Sequence, residues 1–165
     1  MFHYPHNHVE IRDAVAKLCT DFDGKYWQAC DADRAYPSAF VKALTGAGYL
    51  SALIPEEYGG LSLPISAGAA ILEEIHRSGG NAAACHAQMY TMGTVLRHGS
   101  DAQKQQYLPS IADGSLRLQA FGVTEPTSGT DTTALRTTAR RDGDDYVVNG
   151  QKVWTSRAEY SDLML

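Results

Sequence analysis

The chain has 165 residues, of which 44% are hydrophobic and 20% charged, the profile of a soluble globular protein rather than a disordered one. Its formal net charge of −5 disfavours nucleic acid or an anionic membrane as the main partner, because both demand a basic face. No apolar run is long enough to span a bilayer, and the opening MFHYPHNHVE lacks the basic region and apolar core of a signal peptide. Cys19, Cys30 and Cys85 stand far apart, which argues against a disulfide framework or a zinc site. They read as reduced thiols of a reducing, cytoplasmic compartment. His3, His6 and His8 read as a polar terminus rather than a metal site.

In chain order, residues 8 to 27 read as one helix, with Ile11, Val15, Leu18 and Phe22 on a shared face. A second helix starts near Pro37 and buries Phe40, Val41 and Leu44. The stretch IPEEYGG, 54 to 60, reads as a loop. A third helix opens at Pro64, carries Ile65, Ala69, Leu72 and Ile75 at helical steps, and stops at Ser78-Gly79-Gly80. The fourth, about 81 to 98, is apolar almost all round and reads as central to a bundle. Ser100 and Gln103 have capping-box spacing for a fifth helix, which Pro109 is expected to break or kink near Leu108.

After Gly114 the texture changes. RLQAFGVT and LRTTARRD read as strands, and Asp142-Gly143 as a turn. YVV, then Asn149-Gly150, then QKVWTS gives the strongest hairpin signal in the chain. DLML, 162 to 165, begins one more strand. The fold class is therefore α+β: a helical unit over 1 to 115, then the first strands of a β domain over 116 to 165, whose remainder is expected elsewhere.

Two stretches could carry chemistry. AFGVTEPTSGTD, 120 to 131, offers a thin backbone with many hydroxyls, fit either for a turn closed by local bonds or for a cofactor cradle. In KVWTS, 152 to 156, Trp154 could pack across strands or flank a ring cofactor. Glu73 and His76 form half of a di-iron motif, but no second copy exists, so a solvated helix face is the reading. The chain has no Gly-x-Gly-x-x-Gly after a strand, no P-loop, no Gly-x-Ser-x-Gly elbow and no His-Glu-x-x-His.

Thr124-Glu125-Pro126-Thr127-Ser128-Gly129-Thr130-Asp131 resembles the Thr-Glu-Pro-x-x-Gly-Ser/Thr-Asp signature of the acyl-CoA dehydrogenase family. PEEYGG, ILEEIHRSGGNAA and GSDAQKQQYLPSIADG resemble that family's helical domain, in the same order, so the resemblance covers nearly the whole chain. It implies FAD as cofactor. Phe121, Val123 and Thr124 would lie against the flavin, with Trp154, Thr155 and Ser156 beside it. Thr130 would approach the CoA portion of the thioester. Met89, Tyr90 and Met92 lie on the helix that would line the acyl pocket, unless they serve the helix core instead. Thr155 and Arg157 depart from the family's common Ile and Asn.

The implied reaction is α,β-dehydrogenation of an acyl-CoA, with electron-transfer flavoprotein as onward acceptor and a homo-tetramer as the complete form. The family's C-terminal helical bundle, which carries the catalytic Glu, is absent, and no residue here matches that base. The alternatives are a non-catalytic or split-chain interaction module, or another flavoenzyme of the monooxygenase or nitroalkane-oxidase kind on the same fold.

Overall fold

The structure is a computed structural model that describes residues 7–165, so His3 and His6 lie outside the described residues. The single helix expected over 8 to 27 is two helices, α1 (Val9–Cys19) and α2 (Gly24–Ala32). Asp23 causes the break. Its carboxylate accepts from the amides of Lys25 and Tyr26, each at 3.0 Å, and so caps a new helix. The Thr20 hydroxyl donates to the Lys17 carbonyl at 2.7 Å where the first helix ends. Phe22 sits in the turn and packs edge-on against Tyr26 and Phe40, with centroids 5.0 and 5.1 Å apart. The apolar period therefore continues through a break in the backbone.

Helix α3 (Ser38–Gly46) follows Pro37 and buries Phe40, Val41 and Leu44, as its spacing predicts. Helix α4 (Ile65–Arg77) follows Pro64 and turns Leu72 and Ile75 to the core as expected, but not Ile65 or Ala69. Ile65 is 76% exposed, while Ala67, Gly68, Ala70, Ile71, Glu74 and Ile75 are buried. Close packing under α4 selects the small residue: a Cβ on Gly68 would lie 3.2 Å from the Leu53 side chain. Glu74 is buried but held by the Arg77 guanidinium at 2.7 and 2.9 Å. Glu73 pairs with Arg12 at 2.6 Å and ties α4 to α1.

Helix α5 (Ala83–His98) is the central element, touching α3, α4 and α6. Helix α6 (Asp101–Ala112) carries the capping box expected from Ser100 and Gln103, with bonds of 3.2 and 2.9 Å. Pro109 does not break it, because Leu108 and Ile111 are fully buried and tertiary packing holds the last turn. Two apolar clusters result. One gathers Val15, Phe40, Leu44, Ile71 and Cys85; the other gathers Ile54, Met92, Leu108, Ile111 and Leu118. Burial pushes the Cys85 thiol up to about 12, so it stays protonated and inert at neutral pH.

Four strands follow: β1 (Leu118–Ala120), β2 (Thr138–Asp142), β3 (Asp145–Asn149) and β4 (Leu163–Met164). β1 and β4 pair in parallel, Leu118 with Leu163, and β1 packs on α5. β2 and β3 pair antiparallel, from Thr138 with Asn149 to Asp142 with Asp145. Their turn uses Gly143 at φ 65°, as the Asp-Gly signal predicts.

The hairpin expected at Asn149-Gly150 is not there, and residues 151 to 156 are irregular. Gly150 serves a close approach instead. A Cβ at that position would lie 2.1 Å from Thr137 Oγ1. The class is α+β as expected: among the described residues, a helical domain is followed by a few strands and by no further α-helix.

Candidate functional site

The stretch from Leu118 to Asp131 is built outward from a buried anchor. All three residues of β1 are buried, the polar Gln119 included. Gln119 is satisfied inside the protein. Its side-chain oxygen accepts from the Tyr36 hydroxyl at 2.7 Å, and its amide nitrogen donates to Gln88 Oε1 at 3.2 Å. Gln88 in turn donates to the Leu50 carbonyl at 3.4 Å. The Thr91 hydroxyl donates to the Leu118 carbonyl, which fixes β1 against α5. A buried network with every member paired specifies one position for the strand.

Past Ala120 the chain surfaces. Phe121 is 41% exposed and meets Tyr90 edge-on at 5.4 Å, and Tyr90 meets His86 the same way at 5.2 Å. The next residue, Gly122, is closely approached by two side chains. A Cβ on Gly122 would lie 3.2 Å from Met164 Sδ and 3.4 Å from Lys152 Cγ. Its amide donates to the Leu165 carbonyl at 2.6 Å. Lys152 Nζ donates to the Val123 carbonyl at 3.0 Å, and the Val153 amide to the Thr124 carbonyl at 2.9 Å. The KVWTS segment is thereby laid beside the 120–125 segment without forming a hairpin strand.

Glu125 locks the junction. Its buried carboxylate accepts from the amides of Arg136 at 2.6 Å and Thr137 at 2.9 Å, and from Lys152 Nζ at 2.9 Å. The Thr137 hydroxyl lies beside it without a bond of good geometry. That hydroxyl, the Arg136 amide and the Lys152 ammonium hold the Glu125 carboxyl down to about 2. The rest of the loop closes on itself. Glu125 and Ser128 exchange backbone bonds, the Ser128 hydroxyl donates to the Asp131 carbonyl, and Asp131 accepts from the Thr133 amide at 3.1 Å. The Thr130 carbonyl accepts from the Thr132 amide at 3.1 Å, and Thr130 is exposed.

The residues singled out from sequence fall into three groups. Phe121, Val123 and Thr124 lie along one surfaced segment, and Tyr90 touches Phe121. Trp154 is 87% exposed at φ 60°, with half-buried Thr155 and exposed Ser156 after it. Met89 and Met92 are buried, each in one of the two apolar clusters, with Met89 Sδ against Gly68.

Sequence reasoning missed Lys152, Gln119 and His86. Gln119 carried a signal: a lone amide between two apolar strand residues must find partners. Lys152 carried none, because its role depends on where Gly122 and Glu125 fold. Among the described residues no group of three His, Cys, Asp or Glu side chains could hold a metal ion. No helix among them is long and apolar enough to cross a membrane.

Comparison with known proteins decides the family. Residues 5–115 match the profile of the acyl-CoA dehydrogenase N-terminal domain, and residues 120–165 that of the acyl-CoA dehydrogenase middle domain. The chain belongs to the acyl-CoA dehydrogenase family. Acyl-CoA dehydrogenase FadE12 of Mycobacterium tuberculosis is 33% identical over 156 residues, 94% of this chain and 40% of that protein. The acyl-CoA dehydrogenase of Geobacillus kaustophilus superposes with a TM-score of 0.87 at 27% identity, over 99% of this chain and 43% of its own. The Bacillus anthracis acyl-CoA dehydrogenase complexed with FAD gives 0.79 at 27% identity, over 98% and 28%. The chain thus spans less than half the length of these relatives.

Proposed function

We propose that this chain is the N-terminal portion of an FAD-dependent acyl-CoA dehydrogenase, with residues 1–115 as its helical unit and 116–165 as the first part of its middle β domain. The observation that carries this reading is the segment 121–124. It is held to within a few ångströms of KVWTS by bonds that use backbone and Lys152, with the Phe121 ring 41% exposed and Thr124 half-buried beside it.

The residues fit a flavin. Trp154 presents an exposed indole on a left-handed backbone, a conformation that costs a non-glycine residue of order 1–3 kcal/mol and is found at ligand clamps. The Thr124 and Ser156 hydroxyls are donors of the kind that stabilises a flavin's polar edge when it gains negative charge. When bound, FAD supplies the two-electron acceptor for a hydride. Val123, Thr124, Thr155 and Ser156 would orient it, and Phe121 and Trp154 would exclude water from its faces. Thr130 would meet the CoA portion of the substrate, and Tyr90, with Met89 and Met92 behind it, would bound the acyl pocket.

A base must also take the α proton of the thioester. Glu125 is not that base. It already accepts from three donors, and a carboxyl held at about 2 takes a proton poorly. The base, electron transfer to an electron-transfer flavoprotein and assembly into a tetramer belong, in this reading, to the complete protein.

The test is an absorption scan of the purified chain after FAD is added and the excess removed. A retained flavin band is the expected result, and bleaching by acyl-CoA once the rest of the protein is supplied separates a dehydrogenase from other flavoenzymes. A well-folded complete protein that holds neither FAD nor acyl-CoA would sink the reading.

A further inference from the structure

A cavity of about 500 Å³ opens where the 34–37 loop, the start of α5 and the turn 155–160 converge. That volume is in the range of small-molecule sites. Arg34 and Arg157 both line it, and among the described residues neither has a carboxylate within ion-pair distance. Glu159 is the one acid on the lining. In a chain of net charge −5, two guanidiniums without an ion-pair partner, against one acid, on one hollow are a local reversal of sign. Arg157 is half-buried and tethered, its Nε donating to the Gln119 carbonyl at 3.4 Å. Its other nitrogens remain to meet a ligand. Both arginines also sit at positive φ, 52° and 62°, which turns the chain sharply at the cavity.

The walls are flat and partly apolar. Tyr36 and Tyr160 stack on each other at 4.7 Å with an interplanar angle of 18°, Arg117 lies over the Tyr36 ring at 5.8 Å, and Pro37, Ala83 and Ala84 continue the lining beside the pair. The Tyr36 hydroxyl is committed to Gln119, so this wall offers surface rather than a proton.

We propose that this cavity binds a small organic oxyanion, a carboxylate or phosphate borne on a flat, partly apolar body. The guanidinium fork matches the two oxygens of such a group, and the walls take its body. Arg157 stands where the family signature commonly has Asn, so the site is a property of this chain and not of the family pattern.

Calorimetric titration of the full 165-residue chain with AMP, benzoate and inorganic phosphate tests this. Saturable binding of AMP or benzoate below about 1 mM is expected, weakened tenfold or more by Arg34→Gln or Arg157→Gln. Tighter AMP identifies a phosphate ligand, tighter benzoate a carboxylate. Inorganic phosphate binding as tightly as either removes any role for the flat walls and overturns the proposal. So does binding that both variants leave unchanged, or no saturable binding at all. Arg34 is exposed, so its variant keeps the test open if Arg157→Gln does not fold. Flavin retention is read separately. Because Thr155 lines both this cavity and the flavin segment, that reading is taken on the complete protein, where failure to hold FAD or acyl-CoA with intact anion binding overturns only the dehydrogenase reading.

Discussion

Three donors meet on the Glu125 carboxylate, and their consequence is a pH dependence with a definite sign. The folded chain holds this group at about 2, below the ordinary value of 4.5, so the folded state binds the proton less readily than the unfolded one. The stabilisation is complete above about pH 4.5 and is lost as pH falls toward 2. Urea unfolding across that window should show a steeper loss in the native chain than in Glu125→Gln, which has no charge to lose. Equal slopes would mean the carboxylate is not clamped. Gln119 gives a second residue-scale expectation. Gln119→Met keeps the volume but leaves the Tyr36 hydroxyl without its acceptor and Gln88 Oε1 without its donor. Each orphaned group costs roughly 1–3 kcal/mol, so the variant should unfold at clearly lower denaturant. An unchanged midpoint would show that water replaces the amide.

Among the elements, what the sequence revealed and what it hid can be traced to particular residues. The capping box at Ser100 and Gln103 and the turn at Gly143 were legible because both signals are local. The break between α1 and α2 was hidden because Phe22 keeps helical spacing while standing outside a helix. The start of α4 was misread because Ile65 is apolar yet faces solvent, and the buried face is chosen by what lies opposite Gly68. Asn149-Gly150 misled for a similar reason. The glycine answers a steric demand from Thr137, across the end of the β2–β3 hairpin, rather than a turn. Gly150→Ala should therefore destabilise that junction, by about 1–3 kcal/mol as over-packing does, although alanine is usually mild on an exposed strand end. A neutral result would show that Thr137 can move aside. In the candidate site, the signature residues were legible as a motif, while the Lys152 and Glu125 pairing that positions them was not. It joins residues far apart in sequence, and no local rule connects them.

Across the whole molecule, stability is unevenly placed. The helices and β1 share two buried clusters, whereas every residue of β2 and β3 is exposed. A lone two-stranded hairpin is marginal in water. Amide exchange should be slow in α5 and β1 and much faster in β3, whose opening needs no disruption of the core. Comparable protection of Val147 and Gln119 would contradict this.

The parallel pairing of β1 with β4 also fixes an order of events in time. β1 is made early, but Leu118 finds its partner only when Leu163 arrives. Closing so long a loop carries an entropic cost that the local helical contacts do not face, so the helices should assemble first. The 120–125 segment takes its final shape late, when Leu165 reaches the Gly122 amide. Weakening that last contact should therefore hasten unfolding far more than it slows folding. On the ribosome, the helices can settle while the 120–125 segment is still waiting for its strand.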